Sequence, residues 1–143
     1  MPAAAACSCC AAPASHVAAT LFYDPDCAFC TRTAAAIGRR AAAGGVALDL
    51  APIRSAAGDR LLGALPAAER DGSWHLALLD GTVVSAGAAV APLLRLLPGR
   101  GSRLAAAVAE ALPGPVASGY RLVARNRALL SRLGGGERCD VPR

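Results

Sequence analysis

The sequence contains no lysine and very few aromatic residues: two Phe, two Tyr and one Trp among 143 residues. Without lysine, the net charge of +5 rests on arginine alone. Arginine binds phosphate well, but no nucleic-acid-reading motif accompanies the charge, so sequence-specific nucleic-acid binding is not expected. With so few aromatics, the 55% hydrophobic content is mostly Ala, Leu and Val. That excludes a core built on large anchors and favours helix. Long apolar runs are missing too. The most apolar stretches are interrupted by Pro92, Arg95 and Pro98, or by Glu110 and Pro113. None reaches the ~20 apolar residues of a spanning helix, so no transmembrane segment is expected. The N-terminus lacks the basic segment and Leu-rich stretch of a secretory signal. The expected location is the cytoplasm, where cysteines are more often catalytic or metal-binding than structural.

Residues 1–18 read as a low-complexity, cysteine-containing tail, expected to be disordered. Residues 19–143 are expected to form one domain. Thr20 to Tyr23 reads as a buried strand. Asp24-Pro25-Asp26 breaks it, and a helix is expected from Cys27 to Ala43, ended by Gly44-Gly45. A second strand is expected over Val46–Leu50 and a short helix over Gly58–Leu65. Trp74–Leu79 and Thr82–Ser85 form a hairpin about Asp80-Gly81. Three helices follow: Ala86–Leu97, Ser102–Leu112 closed by Pro113-Gly114-Pro115, and a longer one over Val116–Leu133. Strand, helix, strand demands a parallel pair with a crossover, and the hairpin adds an antiparallel edge. The expected fold is α/β: a thioredoxin-like mixed sheet flanked by helices, with extra C-terminal helices.

The chemistry concentrates at Cys27-Ala28-Phe29-Cys30. Residues three apart on a helix share a face. A helix N-terminus supplies unpaired N–H groups and the positive end of the macrodipole, and both favour a thiolate. Cys27, nearest the helix start and placed on the exposed side, is the expected nucleophile. Its thiolate attacks a substrate disulfide, and Cys30, one turn on and more buried, resolves the mixed disulfide. Asp24 and Asp26 are candidate supporting residues. Either caps the helix or shapes the turn, or one of them exchanges a proton with the pair. Arg32 is expected to point to solvent.

The run Leu21-Phe22-Tyr23-Asp24-Pro25-Asp26-Cys27-Ala28-Phe29-Cys30 resembles the opening of the DCC family of thiol–disulfide oxidoreductases, a strand followed by Tyr-Asp-Gly-x-Cys-x-x-Cys. The likeness continues through Asp80-Gly81, Ser85 to Val90 and Tyr120 to Arg127, covering about residues 19–140. It implies a thioredoxin-like fold, disulfide reductase activity, and Cys27 and Cys30 as the redox pair. It implies no cofactor. The partners would be a disulfide-containing protein or small molecule and an external thiol reductant. Two departures stand out. Pro25 replaces the usual Gly, and Gly72-Ser73-Trp74 precedes the third strand where thioredoxins carry a cis-proline that clamps substrate.

Trp74 and His75 are candidates for the substrate groove, with Trp74 the expected core residue of the two. Cys7, Cys9, Cys10 and His16 offer soft ligands. With the CxxC they form the alternative reading, a thiolate metal-handling protein. A third reading keeps the fold as an interaction module without turnover. Cys139 is either a further redox partner or a free thiol. Arg121, Arg125 and Arg132 fall on one face of the expected last helix, either solvated or facing an acidic partner or anionic lipid.

Overall fold

The computed structural model describes residues 17–133. Four strands form one mixed sheet in the order β2-β1-β3-β4. They are β1 (Ala19–Tyr23), β2 (Leu48–Pro52), β3 (His75–Leu78) and β4 (Val83–Ser85). Strand β1 pairs parallel with β2 and antiparallel with β3, and β3 pairs antiparallel with β4. This is a thioredoxin-like α/β arrangement, with α1 (Ala28–Ala43) as the crossover between the two parallel strands.

Alternation along β1 places the core on both faces of the sheet. Ala19 and Leu21 face one way, with Leu76 and with Ala34 of α1. Leu93 of α4 (Val90–Leu96) packs there too. Phe22 faces the other way, with Ala51, Ile53 and Leu62 of α2 (Ala56–Leu62). Leu21, Phe22 and Leu76 expose no surface. Burial of each such side chain contributes roughly 1.5–3 kcal/mol. Phe22 is the one aromatic residue spent wholly on this core.

Helix α1 ends in a Schellman motif. Gly45, at φ +73°, donates its N–H to the Ala42 carbonyl, and Val46 donates to the Ala41 carbonyl. Because Val46 is held by the helix end, β2 starts at Leu48, two residues later than the sequence pattern suggests. It runs on to Pro52, which an edge strand tolerates.

Three other boundaries depart from expectation. The single helix expected over 58–65 is two short ones, α2 and α3 (Ala67–Gly72). The Ser55 hydroxyl starts α2 early by accepting the Gly58 N–H at 3.2 Å, and Pro66 opens α3. The helix expected over 86–97 begins as a 3-10 turn, Ala86–Ala89, before α4. Pro113-Gly114-Pro115 does not close α5 (Arg100–Ala111); it opens α6 (Pro113–Arg125), with proline in the first turn, where its missing N–H costs nothing.

The largest departure is at Asn126. Its N–H reaches the Leu122 and Val123 carbonyls, and its side-chain amide donates to Leu122 at 2.7 Å. The expected long helix therefore ends here, and α7 (Arg127–Leu133) follows as a separate helix that packs on α1. The break also divides the arginine stripe, leaving Arg121 and Arg125 on α6 and Arg132 on α7.

Substituting Gly45→Ala forces a side chain into the left-handed region and is expected to cost about 1–2 kcal/mol. A urea midpoint lowered at constant m value would report it.

Candidate active site

Strand β1 delivers the chain to a tight turn at its C-terminal end. The Asp24 carboxylate accepts the Asp26 N–H at 3.0 Å, and the Asp24 carbonyl accepts the Cys27 N–H at 3.3 Å. Cys27 is then extended (φ −100°, ψ 105°) and serves as the N-cap of α1. Its sulfur accepts the Cys30 N–H at 3.2 Å. The cap is therefore a cysteine sulfur, and neither aspartate takes that place. Cys27 and Cys30 stand at disulfide distance, with Cα atoms 5.2 Å apart.

The aspartates have other partners. Asp24 defines the turn and pairs with Arg127 at 3.7 Å. Asp26 pairs with Arg54 at 2.9 Å, on the open surface, where such pairs add little stability. Each carboxylate beside the cysteines is thus offset by an arginine, and the first turn of α1 carries no acid.

The relative exposure of the two cysteines is the reverse of the expectation. Cys27 is 8% exposed, whereas Cys30 is half-buried and lines a cavity. Helix α7 is the cause. The Ser131 hydroxyl accepts the Phe29 N–H at 3.1 Å and lies 3.9 Å from the Cys27 sulfur. With its oxygen accepting from Phe29, its own proton is free to point at that sulfur. Arg32, expected in solvent, donates to the Leu130 carbonyl at 3.3 Å and helps hold α7 down.

The cavity, about 320 Å³, lies between the start of α1, the entry to β3 and the face of α6. Phe29 and Cys30 form one side, and Trp74 and Tyr120 another, with Tyr23 and Val123 completing an almost wholly apolar lining. The Trp74 and Tyr120 ring centroids are 5.8 Å apart, tilted at 31°. The Tyr120 oxygen accepts the Trp74 N–H at 3.0 Å, and the Trp74 carbonyl accepts the Ala86 N–H at 3.0 Å. Burial raises the Tyr120 phenol above its ordinary pKa, against the opposing effects of the Trp74 N–H and the Arg127 charge. It therefore keeps its proton at neutral pH. No peptide bond among the described residues is cis, and at the entry to β3 the Trp74 backbone N–H is occupied by Tyr120.

Of the two groove candidates, only Trp74 lines the cavity. Trp74 packs against the core as expected but stays partly exposed, whereas His75 has no exposed surface. Its Nε2 donates to the Arg70 carbonyl at 3.0 Å, and its Nδ1 shares a 2.7 Å hydrogen bond with the Ser85 hydroxyl. Both ring nitrogens are committed to joining α3 and β4 to β3. Among the described residues no cluster of three or more His, Cys, Asp or Glu could hold a metal. Cys7, Cys9, Cys10, His16 and Cys139, on which the metal and second-redox-partner readings rest, lie outside the described residues.

Sequence reasoning missed Ser131, Tyr120 and Arg127 as neighbours of the CxxC. The available signal was Asn126, a residue favoured at helix ends. Substituting Ser131→Ala removes a donor aimed at the Cys27 sulfur. In the reduced protein, iodoacetamide alkylation of Cys27 at neutral pH is expected to slow about fivefold, the equivalent of ~1 kcal/mol for one hydrogen bond. Ser131→Thr should restore it. Peptide-mapped alkylation rates are the measurement.

Among the described residues, no helix is long and apolar enough to cross a membrane. No curated protein and no solved structure matches the chain. The sequence model for DCC1-like thiol-disulfide oxidoreductases matches residues 21–133. That span includes the CxxC turn, the sheet, Tyr120 and the break that brings Ser131 over Cys27, and the chain belongs to the DCC1-like thiol-disulfide oxidoreductase family.

Proposed function

We propose that the protein is a dithiol–disulfide oxidoreductase working in the reductase direction, with Cys27 and Cys30 as its redox pair. The observation that carries this reading is the Cys27 sulfur acting as the cap of α1, at disulfide distance from Cys30. A sulfur that accepts a helix N–H and faces the positive end of the macrodipole is stabilised as thiolate. Exposure does not single out Cys27 as the attacking sulfur, but its cap hydrogen bond does. The Cys27 thiolate attacks one sulfur of a substrate disulfide and releases the other as a thiol. Cys30 then attacks Cys27 in the mixed disulfide and frees the second thiol. Two electrons and two protons pass to the substrate, and the protein is left oxidised. An external thiol reductant in a reducing compartment such as the cytoplasm returns it to the dithiol.

The two aspartates act indirectly. Asp24 shapes the turn that presents Cys27, and its pairing with Arg127 ties α7 to that turn. Asp26 contributes to the charge balance through Arg54.

The test is equilibration of the protein in graded thiol/disulfide buffers, followed by alkylation and mass-spectrometric mapping of every cysteine. A Cys27–Cys30 disulfide is expected to open at a single potential of about −200 to −270 mV, the range of reductases. A midpoint near −120 mV, typical of strong oxidants, would reverse the direction. A pair that never bridges would remove the basis of the proposal. In a separate insulin-reduction assay, Cys27→Ser and Cys30→Ser should each abolish multiple turnover.

A further inference from the structure

The chain has five aromatic residues. Phe22 is buried in the core. The other four, Tyr23, Phe29, Trp74 and Tyr120, all line the one cavity beside Cys30. They come from four separate segments, the end of β1, the start of α1, the entry to β3 and the middle of α6. Tyr23 and Trp74 also pack by one side against the buried core, whose remaining members, Phe22 and His75 apart, are mostly Ala, Leu, Val and Ile. Aromatic rings recognise other rings by stacking and edge-to-face contact. None of the four is fully buried, so each keeps surface for a ligand.

Size and backbone chemistry narrow the occupant further. A cavity of roughly 150 Å³ accepts benzene, and this one is about 320 Å³, room for a ring and its substituent. An extended peptide would need free backbone groups at the entry to β3. Those of Trp74 are taken, the N–H by Tyr120 and the carbonyl by Ala86.

Resting on the redox pair proposed above, we infer that the preferred substrate is a small disulfide carrying a flat aromatic substituent. The ring lies among Phe29, Trp74 and Tyr120, and its disulfide extends past Cys30, at the edge of the cavity, to the neighbouring Cys27 sulfur that attacks it. The net reaction is balanced: the substrate S–S bond breaks, the Cys27–Cys30 bond forms, and two thiols leave with the two protons and two electrons of the dithiol.

The experiment compares three disulfides built on 2-mercaptoethanol, whose second half is benzyl thiol, cyclohexylmethyl thiol or 2-mercaptoethanol itself. Each rate is divided by that of the same disulfide with dithiothreitol, so that the differences report recognition and not the acidity of the leaving thiol. The benzyl compound is expected to have a kcat/KM about tenfold above the other two, the scale of one or two aromatic contacts. Gly119 lines the same cavity, and a side chain begun there meets nothing within 4 Å. Gly119→Phe is therefore expected to fold, fill the space and bring the ratio of benzyl to cyclohexylmethyl rates close to one. Equal rates for the two in the unsubstituted protein, or a ratio that Gly119→Phe leaves unchanged, would overturn the inference. So would reduction of insulin without reduction of the small disulfides.

A binding measurement separates this inference from the proposed activity. Trp74 is the only tryptophan, so its fluorescence reads the cavity directly. Titration of the full chain with dibenzyl sulfide, which cannot be reduced, is expected to give saturable quenching that Gly119→Phe abolishes. Saturable quenching in a protein that reduces no disulfide would sustain the aromatic site and sink the redox reading. Absence of quenching would sink the site whatever the turnover.

Discussion

The structure turns on the junction between β1 and α1, where a sulfur atom does the work usually left to a side-chain oxygen. A helix N-terminus leaves N–H groups without partners, and the chain must supply an acceptor. Here the acceptor is Cys27, held at the end of the central strand by the Asp24 turn. The position of Cys27 is set from behind by β1, which is paired on both sides and has Leu21 and Phe22 fully buried. It is set from in front by sixteen residues of helix, closed at the far end by a Schellman turn. The sulfur proposed as the nucleophile is therefore part of the scaffold, and its geometry is fixed by the most constrained elements of the fold.

The remainder of the site is assembled around that fixed point by less constrained segments. Helix α7 has no buried residues and is held by a few polar contacts, those of Ser131, Arg32 and Arg127. The cavity wall opposite Cys30 comes from α6, through Tyr120 and Val123. A rigid sulfur pair with a lightly attached cover suits a reaction in which substrates must enter and leave. Elements that move in function are drawn from the less stable parts of a protein.

Much of this was legible in the sequence, for identifiable reasons. The strand and helix flanking the CxxC are local patterns: a short apolar run, a proline–aspartate break, an alanine-rich stretch and a glycine pair. Each could be read within a window of a few residues, and the order of elements then dictated the mixed sheet. What could not be read this way depends on contacts between distant residues. The relative burial of Cys27 and Cys30 is decided by a helix a hundred residues further on. The full burial of His75 beside a partly exposed Trp74 follows from the partners each finds, a tyrosine hydroxyl for Trp74, and a serine hydroxyl and a carbonyl for His75. Val116 to Leu133 lacks proline and is dominated by Ala, Leu and Arg, with a single glycine, so it reads as continuous. The stop at Asn126 depends on a side-chain amide turning back to the Leu122 carbonyl. Propensity describes the average behaviour of a window, whereas this break is made by a single residue.

The distance along the chain between Cys27 and Ser131 has a consequence for biosynthesis. The redox pair and its cover are separated by 104 positions, so a ribosome completes β1 and α1 long before it reaches α7. Long-range closures of this kind are the slow part of folding, because the intervening chain must be ordered first. Throughout that interval the nascent chain carries Cys27 and Cys30 with no Ser131 to lie above them. The cysteines of the growing chain thus face the thiols and disulfides of their surroundings uncovered, and the shielding of Cys27 is acquired among the last events in its folding.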